Sequence, residues 1–166
     1  MVNEKVLAYT RLSEQASKQI TSSYQEWTSF LAMTGKLYKY PFPEQLMIFA
    51  QRPDATACAD YDLWNKRMRR YVRRGSKGIA LIDNSSGTSR LRYVFDVSDT
   101  GAKENARSPH FWQYRPEQED TVTAALENRF GVSGRSGLAA QLGQIAGQLA
   151  EDYWNDNQYD ILHTVD

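Results

Sequence analysis

Seven basic side chains fall between Trp64 and Gly78: Lys66, Arg67, Arg69, Arg70, Arg73, Arg74 and Lys77, with no acidic residue among them. Trp64 and Tyr71 are interleaved with these cations, and Gly75 and Gly78 flank Lys77. Guanidinium and ammonium groups neutralise phosphates, and flat apolar rings receive unstacked bases. Together they are what a single-stranded nucleic acid requires of its binder. An ordinary solvated face or an unpartnered basic hairpin carries the same charge run, so the segment alone defines an anion-attracting surface without naming its occupant.

Other chemistry is poorly supplied. Potential metal ligands are scarce: His110, His163 and the single Cys58, with no HExxH and no paired CxxC, so no metal and no cofactor is expected. Glu44, Asp54, Asp60 and Asp62 would have to form a magnesium-dependent nuclease cluster without the carboxylate–x–lysine element that should follow on a strand. Asp60 is moreover placed to cap a helix. Gly131, Gly134 and Gly137 do not have the spacing of a phosphate loop, no lysine follows them, and a helical pattern rather than a strand precedes them. They read as a helix–helix connection. No Ser–His–acid set stands out, no catalytic residue is assigned, and an enzyme is not expected.

The chain has 166 residues, of which 41% are hydrophobic and 12% aromatic, enough for one folded domain with a core. One cysteine permits no internal disulfide, which fits a reducing, cytoplasmic setting. No run of eighteen apolar residues is present, and the opening MVNEKVLAYTRLSEQ lacks the apolar region of a secretory signal, so no membrane partner is expected. Basic and acidic residues number twenty each, yet from Pro116 onward nine acids face only Arg129 and Arg135. A neutral total conceals a basic middle and an acidic end.

The elements that must position the cationic run follow from periodicity. Residues 1 to about 22 read as a weakly specified helix. Tyr24, Trp27, Phe30, Leu31 and Thr34 share one helical face, with Gly35 as a stop and Trp27 and Phe30 as core. Pro43 opens a buried helix through about Gln51, ended by Arg52-Pro53. Asp60 caps a short helix YDLWNKRM with Leu63 and Trp64 inward. YVRRGSKGIALID then reads as strand, turn, strand, followed by a turn at 84–87 and a strand Arg90–Val97. Ser98–Pro109 reads as a polar loop and FWQYRPEQ as an aromatic transition. Pro116 starts a helix closed by Gly131, and a last helix carries Leu138, Leu142, Ile145, Leu149 and Trp154 on one stripe. The architecture expected is α+β: N-terminal helices, a small antiparallel sheet or hairpin in the middle, C-terminal helices. Residues 1–166 are expected to form a single domain. YDILHTVD ends in mid-pattern, so the chain is expected to be a fragment of a longer polypeptide.

Three stretches carry a resemblance: Tyr40 to Pro53 (YPFPEQLMIFAQRP), Asp60 to Trp64 (DYDLW) and Tyr71 to Ile79 (YVRRGSKGI). In this order they resemble the N-terminal domain of ArdC-type antirestriction proteins, over about residues 20–97. The wording is similar to the start of large conjugative-element proteins with helicase-like and methylase-like regions downstream. The resemblance implies a single-stranded DNA-binding module acting during transfer or protection of mobile DNA, with downstream domains of a larger polypeptide as further partners. Glu44 departs from the asparagine common in that family, and the zinc protease domain of ArdC has no counterpart here.

On this reading Lys66, Arg67, Arg69, Arg70, Arg73, Arg74 and Lys77 contact phosphates, Trp64, Tyr71 or Tyr38 offers a ring to a base, and Gly75 and Gly78 let the backbone approach the strand. Little sequence preference is expected. The rival is a protein-interaction or inhibitor module whose basic hairpin meets an acidic protein partner.

Overall fold

The computed structural model describes residues 4–163 apart from Ser86 and Trp112, and for 158–163 the helical backbone alone. Ser86 of the turn at 84–87, Trp112 of the aromatic transition and the last three residues of YDILHTVD lie outside the described residues. The chain divides into two compact units, Met1–Trp112 and Gln113–Asp166. The division coincides with the charge boundary. The first unit holds seventeen basic and eleven acidic side chains, net +6, and the second three and nine, net −6.

In the first unit, α1 (Glu4–Ile20), α2 (Tyr24–Lys36) and α3 (Phe42–Gln51) form the helical layer. The Ser23 hydroxyl accepts from Glu26 N at the start of α2, and Pro43 sits in the first turn of α3, where its missing N–H costs nothing. Phe30 is buried and meets Phe42 and Phe49 edge-on, at centroid distances of 5.8 and 5.4 Å. Trp27, expected as core, is 41% exposed, with its ring 5.9 Å from that of Phe30. Met33 and Leu37 take the buried places one and two turns further along, so α2 runs past Gly35 to Lys36.

The helices cover a three-stranded antiparallel sheet of order β1 (Cys58–Ala59), β4 (Arg90–Asp96), β3 (Ile79–Asp83). The β3–β4 register pairs Ile79 with Val94 and Leu81 with Arg92. Ile79, Leu81 and Val94 join Ala16, Ile20, Leu46 and Ile48 in one core. β3 is an edge, and the Gln51 side chain serves it as a surrogate strand: its Nε2 donates to Ala80 O (2.8 Å) and its Oε1 accepts from Ala80 N (2.9 Å). A separate two-stranded ribbon joins β2 (Arg70–Val72) to β5 (Thr100–Ala102), with Tyr71 opposite Gly101.

Tyr71–Asp83 therefore does run strand, turn, strand, but the two strands are not partners. β2 pairs with β5, whereas the hairpin of the fold is β3–β4. The mixed helix-and-sheet architecture stands as read, while the pairing of the cationic strand differs.

In the second unit Pro116–Gln118 leads into α4 (Glu119–Phe130), which closes on Gly131 in the left-handed region (φ 71°). α5 (Leu138–His163) follows the glycine-containing link. Ile145 and Val132 are buried there, and the buried Gln141 amide donates to Thr123 O and Val132 O. Leu142, Leu149 and Trp154 remain exposed. No helix among the described residues is long and apolar enough to cross a membrane.

Candidate nucleic-acid interface

Asp60 begins the cationic segment by capping: its Oδ1 accepts from Leu63 N at 2.7 Å. The helix that follows widens into a π-turn over Leu63–Arg67, closed by Met68 N donating to Leu63 O five residues back. This turn drives Trp64 inward. The indole is 2% exposed and its N–H donates to Phe95 O at 2.8 Å, so Trp64 offers no face to a base and leaves the candidate set. Lys66 is paired with Asp62 one turn back at 2.9 Å.

Arg69 adopts a left-handed backbone (φ 54°), unusual for a side-chain-bearing residue. The following loop holds it there: Lys103 N donates to Arg69 O and Arg107 N to Met68 O. Alternation along β2 then separates Arg70 from Tyr71. Arg70 turns to the half-buried side, where its Nε donates to the buried Thr100 hydroxyl at 2.7 Å. Tyr71 turns to the open side and lies across Gly101. A Cβ at 101 would meet the ring 2.3 to 2.8 Å away, so glycine is what admits the ring. The ring stays 47% exposed. Tyr71 is thus an aromatic surface seated on its neighbouring strand.

Arg73 N continues the ladder to Asp99 O, and Ser76 N closes a turn on Arg73 O. Gly75 has φ 86° in that turn while Arg74 stays at negative φ, the combination of a type II turn. The Cβ position of Gly75 faces open space. Gly78 differs: a Cβ there would press on Tyr93 and Phe95 at 3.2 to 3.3 Å, so this glycine serves close packing onto β4 and not approach by a ligand.

The turn rests on a polar frame. Arg52, at the end of α3, donates to Asp99 Oδ2 (2.7 Å) and Ser98 Oγ (2.9 Å). The Asp99 hydrogen bond is the main influence raising its pKa. The buried Asp96 carboxylate accepts from Thr56 N, Ala57 N, Ser98 N and Ser98 Oγ at 2.6 to 2.9 Å. Burial acts to raise its pKa, and those hydrogen bonds outweigh it, leaving Asp96 below the usual carboxylate range. Cys58 beside it is pushed up to about 12, by burial and then by the Asp96 charge, which disfavours the thiolate at neutral pH. The Tyr40 hydroxyl donates to Cys58 O, and burial raises its pKa as well.

Among the described residues, Arg67, Arg69, Arg73, Arg74 and Lys77 enter no ion pair. The carboxylates are engaged elsewhere: Glu44 with Arg92, Asp83 with Arg90, Asp99 with Arg52. Two exposed cations absent from the expected set join the edge, because the loop after β5 runs beside Met68–Arg69: Lys103, whose ammonium meets Asn65, and Arg107. Only the β2–β5 pairing reveals them, and no local pattern in Ser98–Pro109 signals it. Tyr38, 60% exposed, sits in a different cleft of about 140 Å³ with Lys36, Lys39 and His110–Phe111. Arg107 and Phe111 are four positions apart, at most about 14 Å of extended chain. No three His, Cys, Asp or Glu side chains among the described residues are placed to hold a metal ion.

No protein-family model, curated protein or solved structure matches the chain.

Proposed function

We propose that the first unit is a single-stranded DNA-binding module of low sequence specificity, belonging to a mobile-element or antirestriction protein. The observation that carries this reading is the association of the Tyr71 ring, fixed over Gly101, with guanidinium groups that no internal carboxylate neutralises. Arg67, Arg69, Arg73, Arg74 and Lys77, with Lys103 and Arg107, bind phosphates. Tyr71 stacks on a base, and Tyr38 extends the path. The resemblance of Tyr40–Pro53, Asp60–Trp64 and Tyr71–Ile79 to ArdC-type domains supports the same occupant. A recognition helix presenting asparagine or glutamine to a groove is not part of this surface, which favours backbone-directed binding over duplex readout.

The test is fluorescence anisotropy with a labelled single-stranded oligonucleotide, comparing an Arg73→Ala, Arg74→Ala, Lys77→Ala triple variant with a triple alanine variant at Arg11, Lys18 and Arg115. The first loses affinity by at least tenfold at low salt, while the second stays close to the parent protein. Equal losses in both would reduce the interaction to net charge and overturn the assigned surface.

A further inference from the structure

A cleft of about 640 Å³ opens beside the cationic turn, within the size range of small-ligand sites. Tyr9 and Leu12 of α1, Pro53 and Ile79 give it apolar and aromatic walls, and Asp54 and Lys77 supply charge. Two of its other polar side chains are committed: the Gln51 amide is closed on Met47 O and Ala80, and Arg52 is held by Asp99 and Ser98. Asp54 makes only a long ion pair, its Oδ1 3.6 Å from Arg52 Nε and beyond hydrogen-bonding distance, and its 82% exposed side chain keeps lone pairs open to a further donor. The cleft thus offers a space of mixed aromatic, apolar and polar lining with one accepting carboxylate, and beside it Lys77, the residue after the Arg73–Ser76 turn.

We infer that this cleft takes one base of the bound strand and prefers guanine, an inference that rests on the single-stranded DNA reading above. A phosphate is repelled by Asp54, whereas Lys77 holds the backbone outside while the heterocycle enters. A carboxylate only accepts hydrogen bonds. Guanine presents two adjacent donors, N1–H and the N2 amino group, in the geometry a carboxylate accepts. Adenine and cytosine present a single amino group. Thymine presents one imide N–H flanked by two carbonyl oxygens, which face the carboxylate unfavourably. The order is guanine, then adenine and cytosine, then thymine.

The experiment compares a labelled thymidine-only oligonucleotide with the same oligonucleotide carrying one central guanine, titrated against the full chain and against Asp54→Ala. The parent protein binds the guanine-containing strand about tenfold more tightly, within the range for a bidentate contact. Asp54→Ala binds the two strands equally and holds the thymidine-only strand at least as well as the parent does. Equal binding of both strands by the parent, or a preference that survives in Asp54→Ala, overturns the base pocket and leaves the strand-binding reading intact. Failure of the parent to bind either strand overturns that reading, and the pocket with it.

Discussion

Asp96 shows how one side chain can hold the frame on which the cationic turn rests. Its two oxygens accept from the 56–57 backbone on one side and from Ser98 on the other. Asp96→Asn would set an amide NH2 against backbone N–H donors, and we expect a loss of about 2–3 kcal/mol in denaturant unfolding at neutral pH. The pH dependence follows from the depressed carboxyl: its stabilisation is present above the unfolded value of about 3.9 and is lost as pH falls through the lower folded value. Acid unfolding curves of Asp96→Asn should therefore be flatter below about pH 4 than those of the parent. Cys58 gives a second check. With its thiol raised to about 12, a thiol reagent at pH 8 should react only after denaturation. Gly101 separates folding from binding. A methyl group there displaces the exposed Tyr71 ring and not the backbone. Gly101→Ala should thus lower oligonucleotide affinity about as much as Tyr71→Ala, roughly tenfold, with little change in melting temperature.

At the scale of elements, the cationic segment is a turn anchored at both ends. β2 is zipped to β5, and the Arg73–Ser76 turn is tied to Asp99. Gly75→Val places a β-branched residue at φ 86° and should destabilise this turn by about 1–2 kcal/mol. Circular dichroism of the core should be preserved, and protection of the Ser76 amide from hydrogen exchange lost. The helices were legible in the sequence because spacing and helix-start chemistry mark them: Phe30 is buried on its amphipathic face and Pro43 opens α3, although Trp27 on the same face as Phe30 stays exposed. The pairing of β2 was not. Its partner is Thr100–Ala102, three residues with a glycine at the centre, a stretch with neither alternation nor β-branched enrichment. Gly75 and Gly78 meanwhile mimic a local hairpin signal. The site residues were legible as types, since the charge run survives any pairing. Which side chains stay open was not, because the burial of Trp64, the tethering of Arg70 and the arrival of Lys103 and Arg107 all depend on contacts some thirty or more positions apart in the chain.

The whole molecule separates charge between its units, +6 in residues 1–112 and −6 in 113–166. A fragment of residues 1–112 should bind single-stranded DNA more tightly than the full chain at low salt, with the difference shrinking as ionic strength rises. The account's central claim is that open cations on the first unit neutralise phosphates, and the salt dependence of binding measures this directly. With the seven assigned cations each engaging a phosphate, the slope of log affinity against log salt for a single strand is about −5, and replacing Arg73, Arg74 and Lys77 together by alanine brings it to about −3. A slope near zero in the parent protein, or one left unchanged by that triple substitution, would contradict the claim.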